Sequence, residues 1–187
     1  MACDIIGGRT EQCKDAVSGI HAIYLINYGD LDFPAVTTYG TSENTDQITA
    51  IAAGAINLYK FELKGSGNSL EQTIESSRDN GTTFFTQVLT VQLKRQDVKS
   101  TKNVKLISYG RPRIIVHCRG DQWFLMGLDQ GCDVTAGNIS SGANLGDFNG
   151  YGLTFTAQEE LPANFINCTT VSELDTLMGG SITIVES

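Results

Sequence analysis

The chain has 187 residues, of which 41% are hydrophobic and 18% charged, with a formal net charge of −8. That length supports one domain with a sizeable core, and that composition excludes a disordered chain. The acidic balance disfavours tight DNA or RNA binding, which draws its affinity from neutralised phosphates.

In chain order, residues 1–20 read as a turn-rich arm with Gly7-Gly8 and Ser18-Gly19. It lacks the apolar segment of a signal peptide, so synthesis in a cytoplasm is expected. No run approaches the ~20 apolar residues of a membrane helix. IHAIYLINYG (20–29) is apolar throughout and ends at a glycine, the mark of a strand. Residues 30–50 read as a loop with short strands.

In INLYKFELKG (56–65), Tyr59, Phe61 and Leu63 alternate with Lys60, Glu62 and Lys64. A period of two marks a half-buried strand. GSGNS (65–69) lacks the third glycine of a dinucleotide fingerprint and reads as a bend or bulge in a long strand. SLEQTIESSRDN follows with Leu70 and Ile74, and Asn80-Gly81 marks a hairpin turn. TTFFTQVLTVQLKRQD (82–97) puts Phe85, Leu89, Val91 and Leu93 on one face, with Gln87 as the polar exception. About fifteen residues at ~3.3 Å each span ~50 Å, longer than a lone domain of this size buries. Part of a 57–94 hairpin should therefore project and meet partners. Its candidate contact residues are Tyr59, Phe61, Leu63, Leu70, Ile74, Phe84, Phe85, Val88, Leu89 and Val91.

DVKSTKNVKLISYG (97–110) changes period. Val98, Val104, Leu106 and Ile107 form one stripe of a short helix that Gly110 closes and Pro112 stops. RPRIIVHC and WFLMGL read as a second hairpin, and GCDVTAGNISSGANLGDFNG as a Gly-rich connection. YGLTFTAQEE alternates as a strand. LPANFIN and SITIVES supply short strand, and VSELDTLMGG (171–180) a short helix. No 20–50-residue repeat and no domain boundary is visible, so residues 1–187 read as one domain.

Constellations for chemistry are sparse. The two histidines are His21 and His117, and no G-x-S-x-G elbow exists. His117 and Cys118 are strand neighbours that point to opposite faces, which excludes a nucleophile–base pair between them. The five cysteines, Cys3, Cys13, Cys118, Cys132 and Cys168, have no C-x-x-C spacing and read as buried reduced thiols. GDFNGYG lacks the acidic positions of a calcium loop and reads as a turn. Arg119-Gly120-Asp121 fits the tip of a hairpin with a two-residue turn at Gly120-Asp121, setting Cys118 opposite Trp123 and His117 opposite Phe124. No cofactor, metal or catalytic residue is expected. Residues alone thus give a mainly β, self-associating domain.

SGIHAIYLINYG, YKFELKGSGNSLEQTIESSRDNGTTFFTQVLTVQLKR, GRPRIIV, LMGLDQGCDVTAG and GANLGDFNGYGLTFTAQEELPANFI together resemble a family of bacteriophage virion proteins, nearest in kind to tail-tube (major tail) proteins. The resemblance covers most of the chain. It implies an antiparallel β-sandwich or barrel with one or two short flanking helices and a long projecting hairpin. It implies hexameric rings of the chain itself, stacked into a tail tube within the virion. Sheath, baseplate or connector proteins would be its partners, and DNA would pass without tight binding. Alternatives are another virion role (capsid decoration, collar or tail completion) and a ligand-binding β-sandwich using Trp123 and Tyr151 as an aromatic platform.

Overall fold

The computed structural model describes residues 7–11, 13–41 and 45–186. Cys3, the first six positions of the expected arm and residues 42–44 of the 30–50 loop lie outside the described residues. The protein is mainly β, with two sheets and three short α-helices among the described residues.

The larger sheet has eight strands. They are β1 (Ile20–Ile26), β2 (Thr37–Tyr39), β3 (Gln47–Ile51), β4 (Asn57–Glu62), β7 (Arg113–Cys118), β8 (Trp123–Met126), β11 (Asn164–Ile166) and β12 (Thr183–Val185), in the order β12-β4-β1-β7-β8-β11-β3-β2. The smaller sheet has four, β5 (Ser69–Ser77), β6 (Thr82–Lys94), β9 (Asp133–Ser140) and β10 (Gly150–Glu159), in the order β5-β6-β10-β9. The helices are α1 (Phe33–Val36), α2 (Val98–Tyr109) and α3 (Val171–Leu177), with a 3₁₀ turn at Tyr28–Asp30.

The central strands of the larger sheet are buried on both faces, which is why IHAIYLI reads as a continuous apolar run. Ile23 and Leu25 of β1, with Ile114 and Val116 of β7, face the smaller sheet. There they pack in one cluster with Leu89, Val91, Leu153 and Phe155. Tyr24 and Ile26, with Ile115, Trp123 and Leu125, point the other way into a second cluster closed by Phe33 of α1 and Leu174 of α3. Fully burying side chains of this size is worth about 1.5–3 kcal/mol each, so these two clusters fix the relation of the layers.

Several expectations are corrected. The 57–94 segment is not one hairpin. β4 lies between β1 and β12 in the larger sheet. Gly65 (φ +98°) and Gly67 (φ +93°) then turn the chain out of that sheet. Asn68 anchors the start of the next, its Oδ1 accepting Gln92 N at 2.8 Å. The hairpin is β5–β6, residues 69–94, joined by a four-residue loop with Gly81 at φ +66°. The β7–β8 register is shifted by one from the expected pairing. His117 faces Trp123 and Cys118 N donates to Gln122 O at 2.8 Å. The loop therefore has three residues, and Asp121 (φ +54°), not Gly120, takes the left-handed position. The connection after Cys132 holds a full strand, β9, and Pro34 opens a four-residue helix inside the expected 30–50 loop. In α2, Val104 is buried and Ile107 partly so, whereas Val98 and Leu106 face solvent.

Candidate assembly interface

The smaller sheet carries the features that a neighbour could use. Its directions alternate: β5 is antiparallel to β6, β6 to β10 and β10 to β9. The two edge strands, β5 and β9, therefore run in opposite senses. They are nine and eight residues long. No residue of either is fully buried, and Glu71 through Ser76 are exposed on both faces of the strand. Among the described residues no strand pairs with the outer side of β5 or β9, which leaves at each edge the usual template for adding a strand.

The face of this sheet turned from the core is polar and cation-poor. Thr86, Val88 and Thr90 of β6 lie beside Gln158, Thr156 and Thr154 of β10, and β5 adds Glu71, Thr73 and Glu75. Hydroxyl contacts knit it together. Thr135 and Thr156 meet at 2.8 Å, and Thr86 Oγ1 donates to Glu75 at 2.7 Å. Cations stand at its margins: Lys94 at the end of β6, Arg78 in the hairpin loop, and Arg111, whose Nε lies 3.7 Å from Asp133 of β9.

The expected contact residues divide into two groups. Leu63, Leu89 and Val91 are 1%, 0% and 0% exposed. Tyr59 and Phe61, on β4, pack partly buried against the same cluster. These five belong to the core between the sheets: Tyr59, Phe61 and Leu63 because β4 lies in the larger sheet and never joins the hairpin, Leu89 and Val91 because they sit on the core-facing side of β6. Leu70, Phe84, Phe85 and Val88 are half-buried on β5 and β6, and Ile74 is 69% exposed. Gln87, the polar exception, is buried with both ends of its amide bonded. Nε2 donates to Leu161 O and Oε1 accepts Gly127 N, each at 3.1 Å.

Sequence reading missed a concentration of charge. Residues 94–113 hold seven of the chain's 13 cationic side chains and only one acid, Asp97, leaving six cations against 20 acids elsewhere. Lys99, Lys102 and Lys105 are exposed on α2. None of the three is in an ion pair among the described residues. Asp97 caps the helix: its carboxylate accepts Ser100 N at 2.8 Å and Ser100 Oγ at 2.5 Å, and these bonds hold its pKa below the usual carboxylate value. A running charge count along the sequence would have found this segment.

The residues singled out for chemistry are placed as follows. The His117 ring stacks on Trp123, and His21, in the irregular stretch of β1, sits edge-on to His117 at 5.2 Å. Cys118 is half-buried, and Cys132 and Cys168 are buried. Burial raises all three thiol pKa values, that of Cys168 to about 12. Cys13 is exposed. Among the described residues no group of three His, Cys, Asp or Glu side chains is placed to hold a metal ion. Asp147 spends its carboxylate on the amides of Ala143 and Asn144 (2.9 and 2.8 Å), which makes GDFNGYG a turn. Trp123 and Tyr151 are both 0% exposed, so neither forms a surface platform. Arg119 N donates to Gly19 O at 2.9 Å, tying the Arg-Gly-Asp tip to the arm.

No helix among the described residues is long and apolar enough to cross a membrane. Comparison with protein-family models, with curated proteins and with solved structures finds no match for this chain. The class that the fold defines is a mainly β protein of two packed sheets.

Proposed function

We propose that the chain is a structural subunit of a phage virion that assembles with itself into stacked rings, the tail tube through which DNA leaves. One observation carries the reading: the four-stranded sheet ends in two open edges of opposite direction and matched length. The β9 edge of one copy can then pair antiparallel with the β5 edge of the next. The contact is heterologous, so repetition closes a ring or winds a filament.

The hexamer that the sequence resemblance implies gives a closed barrel of about 24 antiparallel strands. At ~4.8 Å between strands and ~40° of tilt its diameter is about 48 Å. After side chains this leaves a channel wider than a DNA duplex. The polar, cation-poor face of the small sheet would line it, and a wall without phosphate-binding cations lets DNA slide. The protein would act by assembly, without a cofactor, in the virion tail, after synthesis in the host bacterium.

Negative-stain electron microscopy of the purified chain at rising concentration tests this. Hollow tubes of stacked rings are the expected result. Trimers or single rings that refuse to stack would transfer the chain to a decoration, collar or completion role. A protein that stays monomeric at every concentration and salt would refute self-assembly.

A further inference from the structure

Pairing of β9 with β5 would join only one layer of the sandwich. The layer behind it, toward the core, carries exposed apolar side chains at both edges. On the β9 side these are Ile139 (57% exposed) with Val98 (91%) and Tyr109 (79%) of α2. α2 is fixed beside this edge. Gln96 Nε2 donates to Ser140 O at 2.7 Å, and Thr101 Oγ1 meets the Tyr151 hydroxyl at 2.6 Å. At 100° per residue, Val98, Lys102, Leu106 and Tyr109 fall within about 60° of the direction opposite the buried Val104. Of these, Val98 and Tyr109 lie toward Thr101, and hence toward the small sheet, whereas Leu106 turns to the larger one.

On the other edge, Leu70 and Ile74 are the β5 residues paired with Leu89 and Phe85, so they face the same inner layer. Ile74 is left 69% exposed there, because the hairpin runs past the core that would cover it. Leu161 (42%) and Phe165 (48%) are close by. Leu161 O accepts Gln87, and Ala163 N donates to Gln72 at 2.8 Å.

We infer that α2 of one copy docks through Val98 and Tyr109 under the β5 strand of the next copy, covering Ile74. The occupant is a second copy of this chain, and the inference rests on the head-to-tail ring proposed above. Charge complementarity selects it. The docking helix carries Lys99, Lys102 and Lys105 with no acid inside the helix, whereas β5 carries Glu71 and Glu75 and no cation. Glu71 and Glu75 point to the outer face of the edge strand, opposite Ile74, so these charges attract one another around the strand edge without direct pairing. They steer the two unlike edges together and keep like edges apart.

Three variants test the contact, all at exposed positions and each checked for a wild-type circular-dichroism spectrum. In the first, Val98→Glu is combined with Tyr109→Glu; in the second, Ile74→Lys stands alone; the third carries all three changes. The first and second, each alone, should need about tenfold more protein to assemble, the effect of ~1.4 kcal/mol per joint. An equimolar mixture of the two, and the triple variant, should recover, because Glu then meets Lys or wild-type surfaces meet. In a background carrying Cys3→Ser and Cys13→Ser, Ile74→Cys mixed with Tyr109→Cys should form disulfide-linked dimers under air oxidation. Variants that assemble at the wild-type concentration, or a mixture that fails to recover, would overturn the docking while wild-type tubes keep the ring reading intact. A wild-type chain that never assembles would overturn both.

Discussion

The imidazole of His117 lies flat on the indole of Trp123, with ring centroids 3.9 Å apart and 9° between the planes. Among the described residues His117 Nδ1 and Trp123 Nε1 are buried without a hydrogen-bond partner. A proton added at Nδ1 would find no acceptor. Burial, aided by neighbouring His21 and opposed by Asp121, lowers the His117 pKa below the usual ~6.5. Its neutral form is therefore the one that suits the fold. The stability this contributes is fully present above pH ~6.5 and is lost as the pH falls through the lower, folded pKa. His117→Phe keeps an aromatic ring on Trp123 and removes the titration. Thermal unfolding between pH 7 and pH 5 should cost the wild type more of its melting temperature than the variant. Equal losses would mean that His117 stays exposed to water.

Gln87 bonds two backbone groups from separate segments, Gly127 N and Leu161 O, from a position 1% exposed. Gln87→Ala strands both and opens a void. Urea unfolding should register a loss of about 2–4 kcal/mol. A loss under about 0.5 kcal/mol would show that water replaces the amide.

Arg113 is a buried cation held by carbonyls rather than by a salt bridge. Nε donates to Leu128 O at 2.9 Å, and Nη1 donates to Tyr28 O at 2.8 Å and to Leu31 O at 2.6 Å. Its guanidinium lies 4.3 Å from the Tyr28 ring centroid. Arg113→Lys keeps the charge but loses the planar fork, and a lone ammonium cannot reach three carbonyls in these directions. The expected loss is about 2–4 kcal/mol in denaturant unfolding, of the size seen when a buried charge is left under-bonded.

The sequence made the two-face burial of β1 and the period-two strands β4, β6 and β10 readable, because each places apolar side chains at fixed intervals against a core. β9 was opaque for the same reason. DVTAGNIS is an edge strand with no fully buried residue, so its sequence carries glycine and polar residues instead of a pattern. The β7–β8 register failed at Asp121. Aspartate holds the positive φ that glycine was expected to supply, and one more loop residue shifts every pair. The break between β4 and β5 was visible as Gly65 and Gly67, but a bulge and a crossing between sheets share that signature. The candidate interface was half legible. Ile74 was named as a contact, but Val98 was placed on the buried stripe of α2, and nothing in local period reveals that β5 and β9 are the two open edges of one sheet.

Labelling of engineered thiols can locate the faces of the proposed tube. Gln158 is exposed on the polar face of the small sheet, and Ser172 is exposed on α3, which packs against the far side of the larger sheet. In a background carrying Cys3→Ser and Cys13→Ser, Gln158→Cys and Ser172→Cys should both react quickly with a polymer-linked maleimide while the protein is monomeric. In assembled tubes Gln158→Cys should slow by about tenfold or more, since a bulky polymer enters a channel of about 48 Å backbone diameter only through its ends. Ser172→Cys should keep its monomer rate. A small maleimide should modify both. Fast bulky labelling at position 158 in tubes, with protection at 172, would place the larger sheet inside and reverse the orientation. In that event the polar face of the small sheet would meet solvent or another protein, and its scarcity of cations would have no bearing on DNA.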